Sequence, residues 1–182
     1  MRGLFVGRFQ PFHAGHLAAV REIRRRAPEA DLLLVIGSAE ESYTAENPFT
    51  ASERQEMIAR ALAGARVDRV VPVPVADIRR HALWVRYLEG LLPPFDRVYS
   101  HNPLTLMLFT RAGYATDSPP LIDRARLEGV RIREQLSRAE SVSALVPPAV
   151  DRYLAEIGAA DRLKALRPEG ATARPSRHAR GG

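Results

Sequence analysis

Apolar positions along this chain change their spacing repeatedly, and the changes outline its elements. Leu4 to Gly7 is a short uncharged run followed at once by a turn-forming stretch, as a buried strand would be. After Pro11 and Gly15 the period lengthens. Leu17, Val20, Ile23 and Ala27 recur at helical spacing with arginines on the other face, which predicts an amphipathic helix over 16–26. Leu32 to Ile36 is a continuous aliphatic run closed by Gly37, a second buried strand. Strand, helix, strand in that order implies a right-handed parallel crossover.

The alternation continues. Thr50 or Ser52 caps a helix running to about Leu62, with Glu53 at capping-box spacing from Thr50. Val70 to Val75 reads as a third strand, and Pro72 and Pro74 put it at a sheet edge or make it irregular. Ala82 to Leu91 is helical, Arg97 to Ser100 a fourth strand, Pro103 to Arg111 a helix opened by proline, and Tyr114 to Thr116 a weak fifth strand. The predicted fold is α/β: a doubly wound, mostly parallel sheet, followed by C-terminal helices at 129–137, 149–157 and 162–166. From Pro168 onward glycine, proline, alanine and arginine dominate without apolar periodicity. The expected organisation is one domain over 1–167 and a basic disordered tail over 168–182, with no internal repeat.

Composition narrows the classes. A chain of 182 residues that is 46% hydrophobic can bury a core for one domain. The absence of cysteine excludes a disulfide framework, a thiolate metal site and a thiol nucleophile, and agrees with a reducing compartment. Neither a signal-peptide pattern nor an apolar run approaching the roughly 20 residues that cross a bilayer is present, so a soluble, cytoplasmic protein with no membrane partner is expected. The net charge of +6 invites a nucleic-acid reading, but Arg167, Arg174, Arg177 and Arg180 against Glu169 supply +3 of it from the tail. That segment lacks base-stacking aromatics, and is read as a solvated extension rather than an RNA-binding arm. Lys164 is the only lysine, so the arginines reflect codon bias as much as phosphate binding.

The candidate chemistry lies in Gly7-Arg8-Phe9-Gln10-Pro11-Phe12-His13-Ala14-Gly15-His16, where the first strand ends and the first helix begins. In an open parallel sheet, ligands bind at that carboxyl edge. Gly7 lets backbone approach a phosphate, and the helix N-terminus offers free amide donors and a positive dipole end. His13 and His16 are three apart and share a helix face, so two imidazoles can donate to the charge on a phosphoryl group and its departing pyrophosphate, with Arg8 as a fixed cation. A phosphate-bearing cosubstrate is already ionised, so alignment and charge stabilisation are the main requirements. A purely structural role for the pair, one histidine capping the helix and the other packed on Phe9 or Phe12, is the competing reading. Two histidines without a third ligand make a poor zinc site, so no protein metal site is expected; magnesium arriving with ATP is favoured.

These residues resemble the H-x-G-H element of the nucleotidyltransferase superfamily, specifically its archaeal-type nicotinamide-nucleotide adenylyltransferases. The likeness continues through Ile36-Gly37-Ser38-Ala39, Asn47-Pro48-Phe49-Thr50-Ala51, Glu53-Arg54, Ala82-Leu83-Trp84-Val85, Pro93-Pro94-Phe95-Asp96 and Val98-Tyr99-Ser100, and covers roughly Arg2 to Leu166. It implies a Rossmann-like nucleotidyltransferase fold and a reaction joining ATP to nicotinamide mononucleotide (NMN), giving NAD and pyrophosphate with magnesium. It also implies catalytic roles for His13, His16 and Arg8, and nucleotide contacts from Gly7, Phe9, Gly15, Ser38, Trp84, Asn102, Arg131 and Arg133. Trp84 would stack on the pyridine ring or pack in the core. Relatives of this type are often assemblies of several subunits, which implies a homo-oligomer.

The chain also departs from the pattern. The family's S-G-T-x-x-R motif is Glu128-Gly129-Val130-Arg131-Ile132-Arg133 here; only the glycine and last arginine remain, and Arg131 compensates on this reading. His81 stands for an asparagine, His101 for a glycine and Tyr43 for a histidine. Two alternatives therefore stay open: a sister transferase with another phosphorylated acceptor, and a catalytically weakened nucleotide-binding protein.

Overall fold

The computed structural model describes residues 1–120 and 126–166; the tail expected over 168–182 lies outside them. Strands β1 (Arg2–Gly7), β2 (Asp31–Ile36), β3 (Val70–Pro74), β4 (Arg97–Ser100) and β5 (Ala115–Asp117) alternate with helices α1 (Ala14–Arg26), α2 (Ala51–Gly64), α3 (His81–Leu91) and α4 (Pro103–Arg111). Helices α5 (Gly129–Ser137), α6 (Pro148–Glu156) and α7 (Ala159–Ala165) follow. The sheet order is β3-β2-β1-β4-β5 and every pairing is parallel, so the sheet is doubly wound about β1. The proline-bearing β3 lies on an edge, where a missing ladder donor is tolerated.

Side-chain alternation along the strands assigns the layers. Leu32, Leu34 and Ile36 of β2 point into one core with Phe5 of β1 and Tyr99 of β4, while Leu33 and Val35 point into the other with Leu4 and Val98. The first core is closed by Val20 and Ile23 of α1, Met57 and Ile58 of α2, and Ile132, Val150 and Leu163 of α5, α6 and α7. The second is closed by Val85 and Leu88 of α3 and Phe109 of α4. Each fully buried aliphatic or aromatic side chain contributes on the order of 2 kcal/mol, so both faces of the sheet hold the strand ends rigidly.

Local capping explains where helices begin. Thr50 rather than Ser52 caps α2: its hydroxyl accepts from Glu53 N at 3.1 Å, and its own N–H donates to the Glu53 carboxylate at 2.9 Å. The same carboxylate takes both Arg162 Nη groups at 2.7 Å, which ties α7 onto α2. Helix α1 starts at Ala14, earlier than hydrophobic spacing predicts, because a polar residue, His13, supplies the cap. No helix among the described residues is long and apolar enough to cross a membrane.

Candidate active site at the carboxyl ends of β1 and β4

Strand order reverses between β1 and β4, since α1 carries the chain toward β2 while β4 continues toward β5. Such a switch point leaves an open crevice at the carboxyl ends of the strands. A cavity of about 410 Å³ lies there, within the usual range for small-molecule sites. Gly7, Arg8, Phe9 and His16 line it from the β1–α1 junction, Ser38 from the end of β2, and Asp77, His81 and Trp84 from the β3–α3 junction. Ser100, His101 and Asn102 close it from the β4–α4 junction. Seven of the sequence-derived candidates thus border one cavity, while His13, Gly15, Arg131 and Arg133 do not line it.

His13 lies directly behind His16. The rings stack with centroids 3.5 Å apart, and His13 is 7% exposed. Each backbone N–H faces the other residue's Nδ1, at 3.2 Å for His13 N to His16 and 3.4 Å for His16 N to His13, so the two histidines form a reciprocal capping box. A backbone N–H only donates, so both Nδ1 atoms accept and each neutral ring carries its proton on Nε2. Burial lowers the His13 pKa to about 4, with repulsion from His101 adding to it; burial, His13 and His101 hold His16 well below the ordinary imidazole value. At neutral pH the pair is therefore uncharged, with two Nε2–H donors. Phe9, edge-on to His16 at 4.9 Å, and Phe12, stacked at 5.5 Å, hold the second ring in place. Capping and packing on phenylalanine, the structural reading of the pair, are both present, and the same contacts orient the donors.

Phe9 adopts a left-handed backbone conformation, φ 52°, that folds its ring back over Gly7. A Cβ on residue 7 would stand 2.9 Å from that ring, so glycine is required here by Phe9 packing. Gly15, in the first turn of α1, lies against the His13 imidazole.

Positive charge is built around this junction. Arg8 is exposed at the cavity mouth and makes no side-chain hydrogen bond or ion pair among the described residues. Arg54 of α2 is 0% exposed, and its guanidinium donates to the carbonyls of Arg8 at 3.0 Å, Gly37 at 2.8 Å, Ser38 at 3.0 Å and Thr50 at 3.3 Å. It stitches together the loops after β1 and β2. Burial pushes its pKa down to about 10, which still leaves it cationic at neutral pH. Sequence reasoning noted Arg54 only as part of a matching block and missed this role. The available signal was position: Arg54 shares a helix face with buried Met57, Ile58 and Ala61.

Arg133 donates from Nη1 to Gln10 O at 2.8 Å and from Nε to Ala45 O at 3.1 Å, clamping α5 onto the β1–α1 loop. Burial and the charge of Arg8 lower its pKa. The approach needs Gly129, whose Cβ would come within 3.0 Å of Gln10 O. Arg131 points elsewhere, 3.8 Å from the Glu128 carboxylate and beside a separate depression with Arg126 and Gln135. Asn102 spends its Oδ1 capping α4 through Leu104 N at 2.9 Å, which leaves its amide NH₂ for the cavity. Trp84 does both things considered for it: it packs against the second core and Tyr87 and also lines the cavity. Among the described residues no three His, Cys, Asp or Glu side chains are grouped to hold a metal ion. The donor set suits an ion that brings most of its ligands with a nucleotide.

Comparison with known proteins places this geometry. Residues 4–142 match the family model described as cytidylyltransferase-like. The chain is 41% identical over 165 residues to the nicotinamide-nucleotide adenylyltransferase of Methanolobus tindarius, covering 91% of this chain and 94% of that protein. It is 44% identical over 164 residues to the protein of the same name from Haloarcula marismortui, covering 90% and 86%. Among solved structures, a bifunctional NMN adenylyltransferase/ADP ribose pyrophosphatase from Francisella tularensis superposes with a TM-score of 0.75 at 18% identity, over 91% of this chain and 52% of that one. The same protein complexed with AMP and a manganese ion gives 0.73 at 19%. This chain spans about half the length of that bifunctional protein, and the likeness concerns the fold. With the switch-point cavity, the His13/His16 pair and matches spanning most of the chain in agreement, the chain belongs to the cytidylyltransferase-like family and, within it, to the nicotinamide-nucleotide adenylyltransferases found in archaea.

Proposed function

We propose that this protein transfers the adenylyl group of ATP to NMN, giving NAD and pyrophosphate, and that the switch-point cavity is where it does so. The observation that carries the reading is His16 in the cavity wall, its Nε2–H oriented by the stacked His13 behind it, in one cavity with Arg8 and Trp84. The relatives at 41–44% identity are named for this activity.

In the proposed reaction an oxygen of the NMN 5′-phosphate attacks the α-phosphorus of ATP, a new P–O bond forms, and the bond to the β-phosphate breaks to release pyrophosphate. The nucleophile is already anionic, so no residue need remove a proton. His16, with His13 stacked behind it, donates to the α-phosphoryl oxygens as charge builds on them; Arg8 receives the pyrophosphate side. Arg54 and Arg133 act by holding the loops that carry these groups. Gly7, Phe9, Gly15, Ser38 and Asn102 shape the nucleotide pocket, and Trp84 offers its indole face to the electron-poor pyridinium. Magnesium enters with ATP as part of the substrate and neutralises the leaving phosphates. Arg131, turned toward Glu128, is assigned no contact.

The test presents the purified chain with ATP, magnesium and a panel of mononucleotides, and identifies the products. Formation of NAD from NMN in preference to products of other acceptors supports the reading. Consumption of a different phosphorylated acceptor with no NAD would replace it with a sister activity, and ATP binding without pyrophosphate release would make the protein a nucleotide-binding protein.

A further inference from the structure

His101 stands in the loop after β4, lining the cavity from the β4–α4 junction. Its Nε2 lies 3.0 Å from the carbonyl oxygen of Pro119. A carbonyl only accepts, so Nε2 carries the proton and Nδ1 is the nitrogen left over. Phe5 meets the ring edge-on at 5.8 Å and holds its plane.

The groups that face this ring are mostly basic. Arg8, His13 and His16 stand on the β1–α1 side, and His101 opposes the protonation of both histidines. His81 and Asp77 stand on the β3–α3 side. Asp117 of β5 is held by Arg26 at 3.0 Å. Among the described residues no carboxylate forms an ion pair with His101. Arg8 is the charged group on the β1–α1 side, since His13 and His16 are neutral, and a phosphate dianion entering the cavity brings the negative charge that favours a protonated imidazole in its wall.

We infer that His101 is a further phosphate-binding imidazole of this site, gaining a proton at Nδ1 as a nucleotide phosphate enters and donating it in a hydrogen bond to a phosphate oxygen. The anchored Nε2–H stays on Pro119, so the added proton has one place to go. The inference rests on the nucleotide-transfer reading and deepens it, since either substrate, ATP or NMN, brings the phosphate.

The experiment labels the full chain with ¹⁵N-histidine and titrates it separately with MgATP and with NMN, His101 signals being assigned by their loss in His101→Gln. Expected is a ring with one protonated nitrogen in the free protein and two once one of the nucleotides binds; which nucleotide does so identifies the phosphate. His101→Gly should raise the KM for that nucleotide about tenfold or more, beyond its effect on kcat, and His101→Gln should recover part of the loss because its amide donates without charge. Binding of both nucleotides without a change in the His101 ring, or KM values unchanged in both variants, overturns the inference alone. Failure of either nucleotide to bind overturns the transfer reading and this inference with it.

Discussion

His13 and His16 hold each other: their rings stack at 3.5 Å, and each accepts the other's backbone N–H at Nδ1. One contact pattern therefore starts helix α1, fixes the tautomer of both rings and leaves each Nε2 as a donor, His16 being the one in the cavity wall. Structure and chemistry are coupled through the same two side chains, and substitutions can separate them.

His16→Ala removes a preorganised donor while leaving His13 as the cap. Turnover should fall by about 10²- to 10³-fold, with a smaller change in KM for ATP. Steady-state kinetics with saturating NMN measures this, and an unchanged kcat would remove His16 from the chemistry.

Stability should fall with acid in a window set by the buried histidines. His13 titrates near 4 when folded and near 6.5 when unfolded, so the unfolded chain binds more protons between those values. The neutral, buried form thus contributes full stability above pH 6.5 and loses it as pH falls toward 4, by roughly 3 kcal/mol for His13. His16 shifts the same way. Urea denaturation from pH 7 to pH 4 should show the slope. His13→Asn, which keeps a capping oxygen, should flatten it, and an equal slope in the variant would contradict this assignment.

Arg54→Ala should be among the most damaging single changes outside the cavity lining. It strands the carbonyls of Arg8, Gly37, Ser38 and Thr50 and empties a fully buried volume, at a cost of about 3 kcal/mol or more. Arg54→Lys, keeping the charge but not the fork, should fall between it and the parent. Denaturation midpoints decide; a shift of under 1 kcal/mol in Arg54→Ala would refute the role.

Glu128→Ser tests the altered motif at the start of α5. Glu128 occupies the N-cap position without a side-chain capping bond, so serine there should stabilise the protein by about 1 kcal/mol. Removing a carboxylate from a helix start that packs against the β1–α1 loop should also lower the KM for ATP by about 2- to 5-fold. A KM that does not move would mean that Glu128 stays with Arg131 and away from the phosphates.

The fold was legible because period and punctuation agree along most of the chain. The aliphatic run Leu32 to Ile36, the prolines of β3 and the Thr50/Glu53 spacing each point to a structural feature that is present. Boundaries slipped where polar residues set them: His13 starts α1, and Gly158, at φ 61°, starts α7 at Ala159 rather than Arg162. At the site, the junction residues were legible from their place after the first strand. What the spacing hid was direction. Arg131 and Arg133 are two apart on a helix and so about 200° apart around it; one faces Gln10 and the other turns outward. Arg54 was hidden for the opposite reason, a charged residue on an apolar face, where its partners are loop carbonyls that no side-chain pattern reveals.

The central claim is that the α-phosphoryl group of ATP passes to the phosphate of NMN in this cavity. Incubation with NMN, magnesium and ATP labelled in separate reactions at the α- or γ-phosphate follows the atoms directly. The account predicts that the α label appears in NAD and the γ label in pyrophosphate, in equal amounts, and that both signals collapse in His16→Ala. Label released as inorganic phosphate, or pyrophosphate formed with no labelled dinucleotide, would contradict it.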